Sequence, residues 1–128
     1  MKIQTTTLTL VVADPQASLQ YFTNHFGFRE VLAFDGGAAI EHPDGGPTLF
    51  FLREGLEVLD APLRHTRAQG VILAFTVGDI EAEVARLTAD GVATRSEIRQ
   101  DDWGEKHVQL VAPFIFGQRN KIHIINLE

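Results

Sequence analysis

Thr7-Leu8-Thr9-Leu10-Val11-Val12-Ala13-Asp14-Pro15 and, further on, Val71-Ile72-Leu73-Ala74-Phe75-Thr76-Val77-Gly78-Asp79 decide the fold. Each is an extended run that ends on an aspartate, and a helical pattern follows each. In the first, residues alternate from Thr7, with Leu8, Leu10 and Val12 on one face and Thr7, Thr9 and Val11 on the other. Asp14 reads as a helix N-cap and Pro15 as the first helical residue, where a missing N–H costs nothing. Leu19, Phe22 and Phe26 recur at helical spacing, and Gly27 stands where a left-handed C-cap would end the helix. In the second, Val71 to Val77 reads as a buried strand and Asp79 as a cap. Ile80, Val84 and Leu87 form an apolar stripe, and Gly91 stops it.

Three short extended segments follow each helix. Phe28 to Phe34, Ala38 to Glu41 and Thr48 to Arg53 follow the first; residues 92–99, 106–111 and 121–127 follow the second. Asp35-Gly36-Gly37 and His42-Pro43-Asp44-Gly45-Gly46 supply turn chemistry within the first set. Residues 54–70 are polar, contain Pro62 and bring Arg64, His65 and Arg67 close together, which reads as a surface linker or mobile loop. Val12-Ala13-Asp14 matches Val77-Gly78-Asp79, Gly27 matches Gly91, and Phe22 corresponds to Leu87. One β-α-β-β-β module is therefore used twice. The expected class is α+β, two βαβββ modules whose curved mixed sheets surround a cavity. Residues 1–128 make a single domain: module one about 1–55, a linker about 56–69, and module two about 70–128.

Composition narrows the function. The chain of 128 residues is 45% hydrophobic and 22% charged, in the range of a folded domain. No apolar run approaches the ~18 residues of a membrane helix, and the first residues lack the apolar core of a secretory signal, so no membrane partner and a cytoplasmic location are expected. The chain has no cysteine, which removes disulfides, thiolate metal sites and thiol nucleophiles. Its formal charge of −6 argues against nucleic acid, whose binders need a basic stripe, and is compatible with a cationic small molecule. No Gly-x-Ser-x-Gly elbow surrounds Ser18 or Ser96, and the Asp-Gly-Gly turns lack the Lys-Ser/Thr of a phosphate loop.

Val12-Ala13-Asp14, Ser18-Leu19-Gln20-Tyr21-Phe22, Phe26-Gly27-Phe28, Val77-Gly78-Asp79-Ile80, Leu87-Thr88-Ala89-Asp90-Gly91-Val92 and Asp102-Trp103-Gly104 follow one another in an order that resembles the vicinal oxygen chelate superfamily. This superfamily holds glyoxalase I, extradiol dioxygenases, fosfomycin resistance enzymes and bleomycin resistance proteins. Small size and the Trp-Gly element make the chain most similar to the bleomycin-resistance-like group. The resemblance implies a homodimer and, in metal-dependent members, four inward His or Glu ligands. By position these fall at Thr7, at or beside Phe50, at Ile72 and at His123. Threonine, phenylalanine and isoleucine are not ligands for a catalytic divalent cation, so no metal cofactor is expected. The family's Asp-Pro-x-Gly-Asn-like turn is replaced by a longer, more apolar stretch over residues 112–119, in which Phe114 and Phe116 would shape the cavity rim or pack against a partner subunit.

Strand alternation leaves a mostly apolar inner face with a few polar groups, the make-up of a small-molecule site. The candidate ligand-binding residues are Phe50, Trp103, His107, Gln109 and His123, with Asp102 at the rim. Trp103 beside Asp101 and Asp102 suits a flat or cationic guest through stacking and cation–π attraction. Asp101 and Asp102, being adjacent, should point apart. In an antiparallel hairpin whose paired positions sum to about 230, His107 and His123 would be direct cross-strand neighbours. They would form one hydrogen-bonded and one ligand-contacting histidine, an acid/base pair, or, with Glu105, Asp101 or water, a metal site. His25 reads as structural, and His42, in a turn, and His65, in a polar loop, read as solvated. The leading expectation is a metal-independent protein that sequesters a small molecule such as an antibiotic. The alternatives are a lyase, isomerase or dioxygenase with an altered site on His107, His123 and Glu105, and a dimeric accessory protein with a vestigial pocket.

Overall fold

The computed structural model describes residues 1–111 and 121–127. The expectations for residues 112–119, with Phe114 and Phe116, lie outside the described residues. Among the described residues, eight strands and three helices run in the order β1 (Thr7–Val12), α1 (Pro15–His25), β2 (Arg29–Phe34), β3 (Gly37–Glu41), β4 (Thr48–Arg53), α2 (Ala61–Arg64), β5 (Ile72–Thr76), α3 (Ile80–Ala89), β6 (Arg99–Gln100), β7 (Glu105–Leu110) and β8 (Lys121–Leu127). The chain divides into two compact units, the break falling between Ala68 and Gln69. Each unit is built on a four-stranded mixed sheet, so the α+β class read from the sequence holds.

The first unit has strand order β1-β4-β3-β2, with β1 parallel to β4 and the other pairs antiparallel. The Asp14 carboxylate accepts from the Ala17 amide at 3.1 Å and starts α1. Gly27, at φ 75°, turns the chain out of the helix in a left-handed conformation that a side chain would strain. His42 braces this exit: its Nε2 lies 3.0 Å from the Phe26 carbonyl oxygen, and its Nδ1 accepts from the Asp44 amide at 3.1 Å. Phe22, fully buried, joins the helix to the sheet by stacking on Phe51 (5.6 Å between ring centres, 16° between planes) and by meeting Phe28 edge-on.

Residues 54–70, read as a surface linker or mobile loop, are mostly exposed but locally ordered. They contain α2, and Leu59 packs into a buried cluster with Val11 and Leu52, flanked by Phe50 and Leu56. The Ala68 amide donates to the Val11 carbonyl at 2.8 Å, and Arg64 donates to the carbonyls of Leu59 and Glu57. Four helical residues are too few to show a period, which hid α2 from pattern reading.

The second unit has the same strand order, β5-β8-β7-β6, with β5 parallel to β8. Asp79 caps α3 as Asp14 caps α1, accepting from the Ala82 amide at 3.0 Å with nearly the same backbone angles. β5 is not the buried strand its composition predicts. Ile72 is 61% exposed, and Ala74 and Thr76 are exposed too, so one face of the strand is open while Leu73 and Phe75 on the other are half-buried. The segment expected as a strand over residues 92–99 pairs only at a bridge between Thr94 and Leu110 and in the two-residue β6; bends at Arg95 to Glu97 interrupt it.

The registers of the two sheets coincide residue by residue. Thr7 faces Thr48 and Thr9 faces Phe50 in the first; Ile72 faces Lys121 and Ala74 faces His123 in the second. Phe50 and His123 thus hold the same place in the repeat. Gly37, opposite Leu52, holds the place of His107, opposite Ile125. The Phe34 ring covers Gly37 so closely that a Cβ there would lie 2.3 Å from Phe34 Cζ.

Candidate functional site

Alternation along β7 and β8 sorts their side chains. Val108, Leu110, Ile122 and Ile124 are buried on one face, and α3 packs against β8. His107, Gln109, His123 and Ile125 belong to the other face and are half-buried. The paired positions sum to 232 rather than 230: Gln109 is opposite His123 and His107 opposite Ile125. The expectation of His107 and His123 as direct partners is therefore corrected by one pairing step; they are diagonal neighbours. Their rings still stack, 6.3 Å between centres and 21° between planes, because imidazoles reach across a diagonal.

The β6–β7 connection is a tight turn. The Gly104 amide donates to the Asp101 carbonyl at 3.0 Å, and the Asp101 amide donates to the Glu105 carbonyl at 2.8 Å. Gly104 sits at φ 86°, as the last residue of such a turn requires. Asp102 and Trp103 occupy its tip. Trp103 is 74% exposed, and its Nε1 donates to Glu105 Oε2 at 3.3 Å. Asp101 and Asp102 point apart as expected: Asp102 is exposed, while Asp101 Oδ1 lies 3.2 Å from His107 Nε2. Sequence reasoning named Asp101 as a carboxylate beside Trp103 and as a metal-completing group, and missed it as the hydrogen-bond partner of His107. Two residues beyond Arg99, which faces His107, Asp101 falls on the histidine face.

His123 is the electrostatically unusual member. Its Nε2 is buried with no hydrogen-bond partner among the described residues. Burial first, then the positive charges of His107 and Lys121, push its pKa below the ordinary value, against a smaller opposing pull from Glu105. The unfolded chain therefore takes up this proton first as the pH falls. The protein should lose stability from about pH 6.5 downward, until the folded His123 also protonates. Urea unfolding midpoints at acid and neutral pH test this. His123→Gln should show a shallower acid loss than the parent, and equal slopes would refute the assignment.

Phe50, the remaining candidate, lies in the first unit, in contact with the Leu59 cluster and edge-on to Phe34 at 6.2 Å. The second unit gathers His107, Gln109 and His123 on one face, with Trp103 and Asp102 on the adjoining turn. The residues present do not fit a resident divalent cation. Thr7, Phe50 and Ile72 offer a hydroxyl, a ring and an alkyl chain where the resemblance requires ligands. Among the described residues no group of three or more His, Asp or Glu side chains converges on a point. Imidazole lone pairs lie in the ring plane, so the stacked His107 and His123 rings do not aim at one ion.

Comparison with known proteins agrees with the topology. The sequence profile of the Glyoxalase/Bleomycin resistance protein/Dioxygenase superfamily matches residues 3–114. No curated relative matches the sequence. Among solved structures, a glyoxalase/bleomycin resistance protein/dioxygenase from Nocardioides is similar at 20% identity and a TM-score of 0.77, over 100% of this chain and 86% of that one. A family enzyme from Burkholderia phytofirmans is similar at 18% identity and 0.75, over 96% and 98%. A lactoylglutathione lyase from Agrobacterium tumefaciens is similar at 16% identity and 0.72, over 98% and 94%. At these identities the likeness shows the fold alone.

Proposed function

Because the chain belongs to the Glyoxalase/Bleomycin resistance protein/Dioxygenase superfamily, we propose that it binds a small organic molecule without a metal, on the histidine face of the second sheet. The observation that carries this reading is the His107–His123 stack on a half-buried sheet face, with Trp103 exposed on the adjoining turn. Stacked imidazoles, an open indole and the carboxylates of Asp101, Asp102 and Glu105 suit a flat or cationic aromatic compound. Gln109 supplies a further polar group on the same face. Sequestration of such a compound, by a cytoplasmic homodimer, is the function this chemistry supports best.

A thermal-shift screen with antibiotics and with flat aromatic cations such as proflavine tests the reading. A guest that binds only the folded chain raises the melting temperature, and at a hundredfold excess over its Kd stabilises by about 2.7 kcal/mol. Trp103 is the only tryptophan, so its fluorescence should change on binding. Trp103→Ala should weaken proflavine by about 0.5–2 kcal/mol. If no compound in the screen shifts the melting temperature, the sequestration reading fails and a vestigial pocket replaces it. A lyase activity, suggested by the name of the Agrobacterium neighbour, finds no ligand set at Thr7, Phe50 and Ile72 to support it.

A further inference from the structure

His107 is more constrained than ligand contact requires. Its Nε2 lies 3.2 Å from Asp101 Oδ1, and the two side chains retain only 23% and 26% of their exposure. An ionised carboxylate can only accept, so Nε2 carries the proton and donates it. In the neutral ring the other nitrogen, Nδ1, then holds a lone pair and is an acceptor. No described residue hydrogen-bonds Nδ1. Among the described residues the buried side-chain polar atoms without partners are Arg64 Nε and His123 Nε2, and His107 Nδ1 is not one of them. The couple is held by backbone as well as side chain, because Asp101 sits in the turn closed by Gly104 and its amide bonds Glu105. Beside it, the near-parallel His123 ring forms a flat wall.

We propose that Asp101 fixes His107 as a hydrogen-bond acceptor, and that the molecule bound on this face is a planar aromatic compound that donates an O–H or N–H to His107 Nδ1. This rests on the binding role proposed above and adds the chemical class of the guest. Asp101 is a positioning residue: it touches the guest only through the orientation it imposes on the imidazole. A guest of equal size that cannot donate leaves the lone pair unpaired and loses one neutral hydrogen bond, about five- to tenfold in affinity.

The test uses the full chain with two probes, 2-naphthol and 2-methoxynaphthalene, near pH 8, where an ordinary imidazole is neutral. Long-range proton–nitrogen NMR reads the histidine tautomers directly. The expected result is an Nε2–H tautomer at His107 and about five- to tenfold tighter binding of the naphthol. In Asp101→Asn the tautomer bias should be lost, and the naphthol preference should fall toward one. His107→Phe keeps a flat ring without the acceptor and should abolish the preference by a separate route. An Nδ1–H tautomer, a doubly protonated His107 near pH 8, or equal affinities in the parent protein would overturn the assignment. Equal affinities would leave the binding role standing and remove only the donor requirement. If neither probe perturbs His107 or His123, the binding role falls and this assignment falls with it.

Discussion

Replacing Phe22 with alanine should lower stability by about 3–5 kcal/mol, the largest effect expected of any single substitution in the first unit. Phe22 has no exposed surface and touches four rings: it stacks on Phe51, meets Phe28 and Tyr21 edge-on and lies tilted against Phe26. Truncation removes the transfer energy of a whole ring, and it opens a cavity whose walls are other large rings, which collapse poorly. The melting temperature should fall on the order of 10–20 °C. Phe22→Leu, which keeps much of the volume, should cost markedly less. A loss under about 1 kcal/mol for the alanine variant would show that α1 does not pack on β4 through this residue.

Leu87→Ala should destabilise by about 2–5 kcal/mol. Leu87 and Ile80 lie two turns apart on one side of α3 and both are fully buried. The Leu87 carbonyl also accepts the Val92 amide at 2.9 Å as the helix ends, so the residue is fixed at both backbone and side chain. The buried strand residues Val108, Leu110, Ile122 and Ile124 lie on the opposite side of their strands from the histidines. The variant should therefore show a lower urea midpoint, yet bind proflavine unchanged wherever it remains folded. A loss of affinity as large as the loss of stability would show that core and binding face are not separable.

The parts of the fold that rest on local chemistry were legible in the sequence. Asp14 and Asp79 announce their helices, since a capping carboxylate needs only the amide three residues on. Thr48 to Arg53 has both ends where its alternation places them. Reading failed where distant chain decides. The pairing of β7 with β8 depends on the connection between them, so His107 and His123 came out one step away from direct opposition. The exposure of Ile72, Ala74 and Thr76 along one face of β5 is likewise not revealed by an apolar run such as Ile72-Leu73-Ala74-Phe75. The His107–Asp101 bond needed the turn at Gly104 to be known before the two side chains could be put together. Burial of Leu59 went unread because its neighbours are polar and α2 is one turn long.

The Phe34 ring lying over Gly37 sets how the two modules differ at one repeated place. A Cβ at position 37, which holds the place of His107 in the other module, would lie 2.3 Å from Phe34 Cζ, so the exposed Phe34 ring would have to turn aside to admit a side chain there. The place that carries an imidazole in the second module is capped by an aromatic ring in the first.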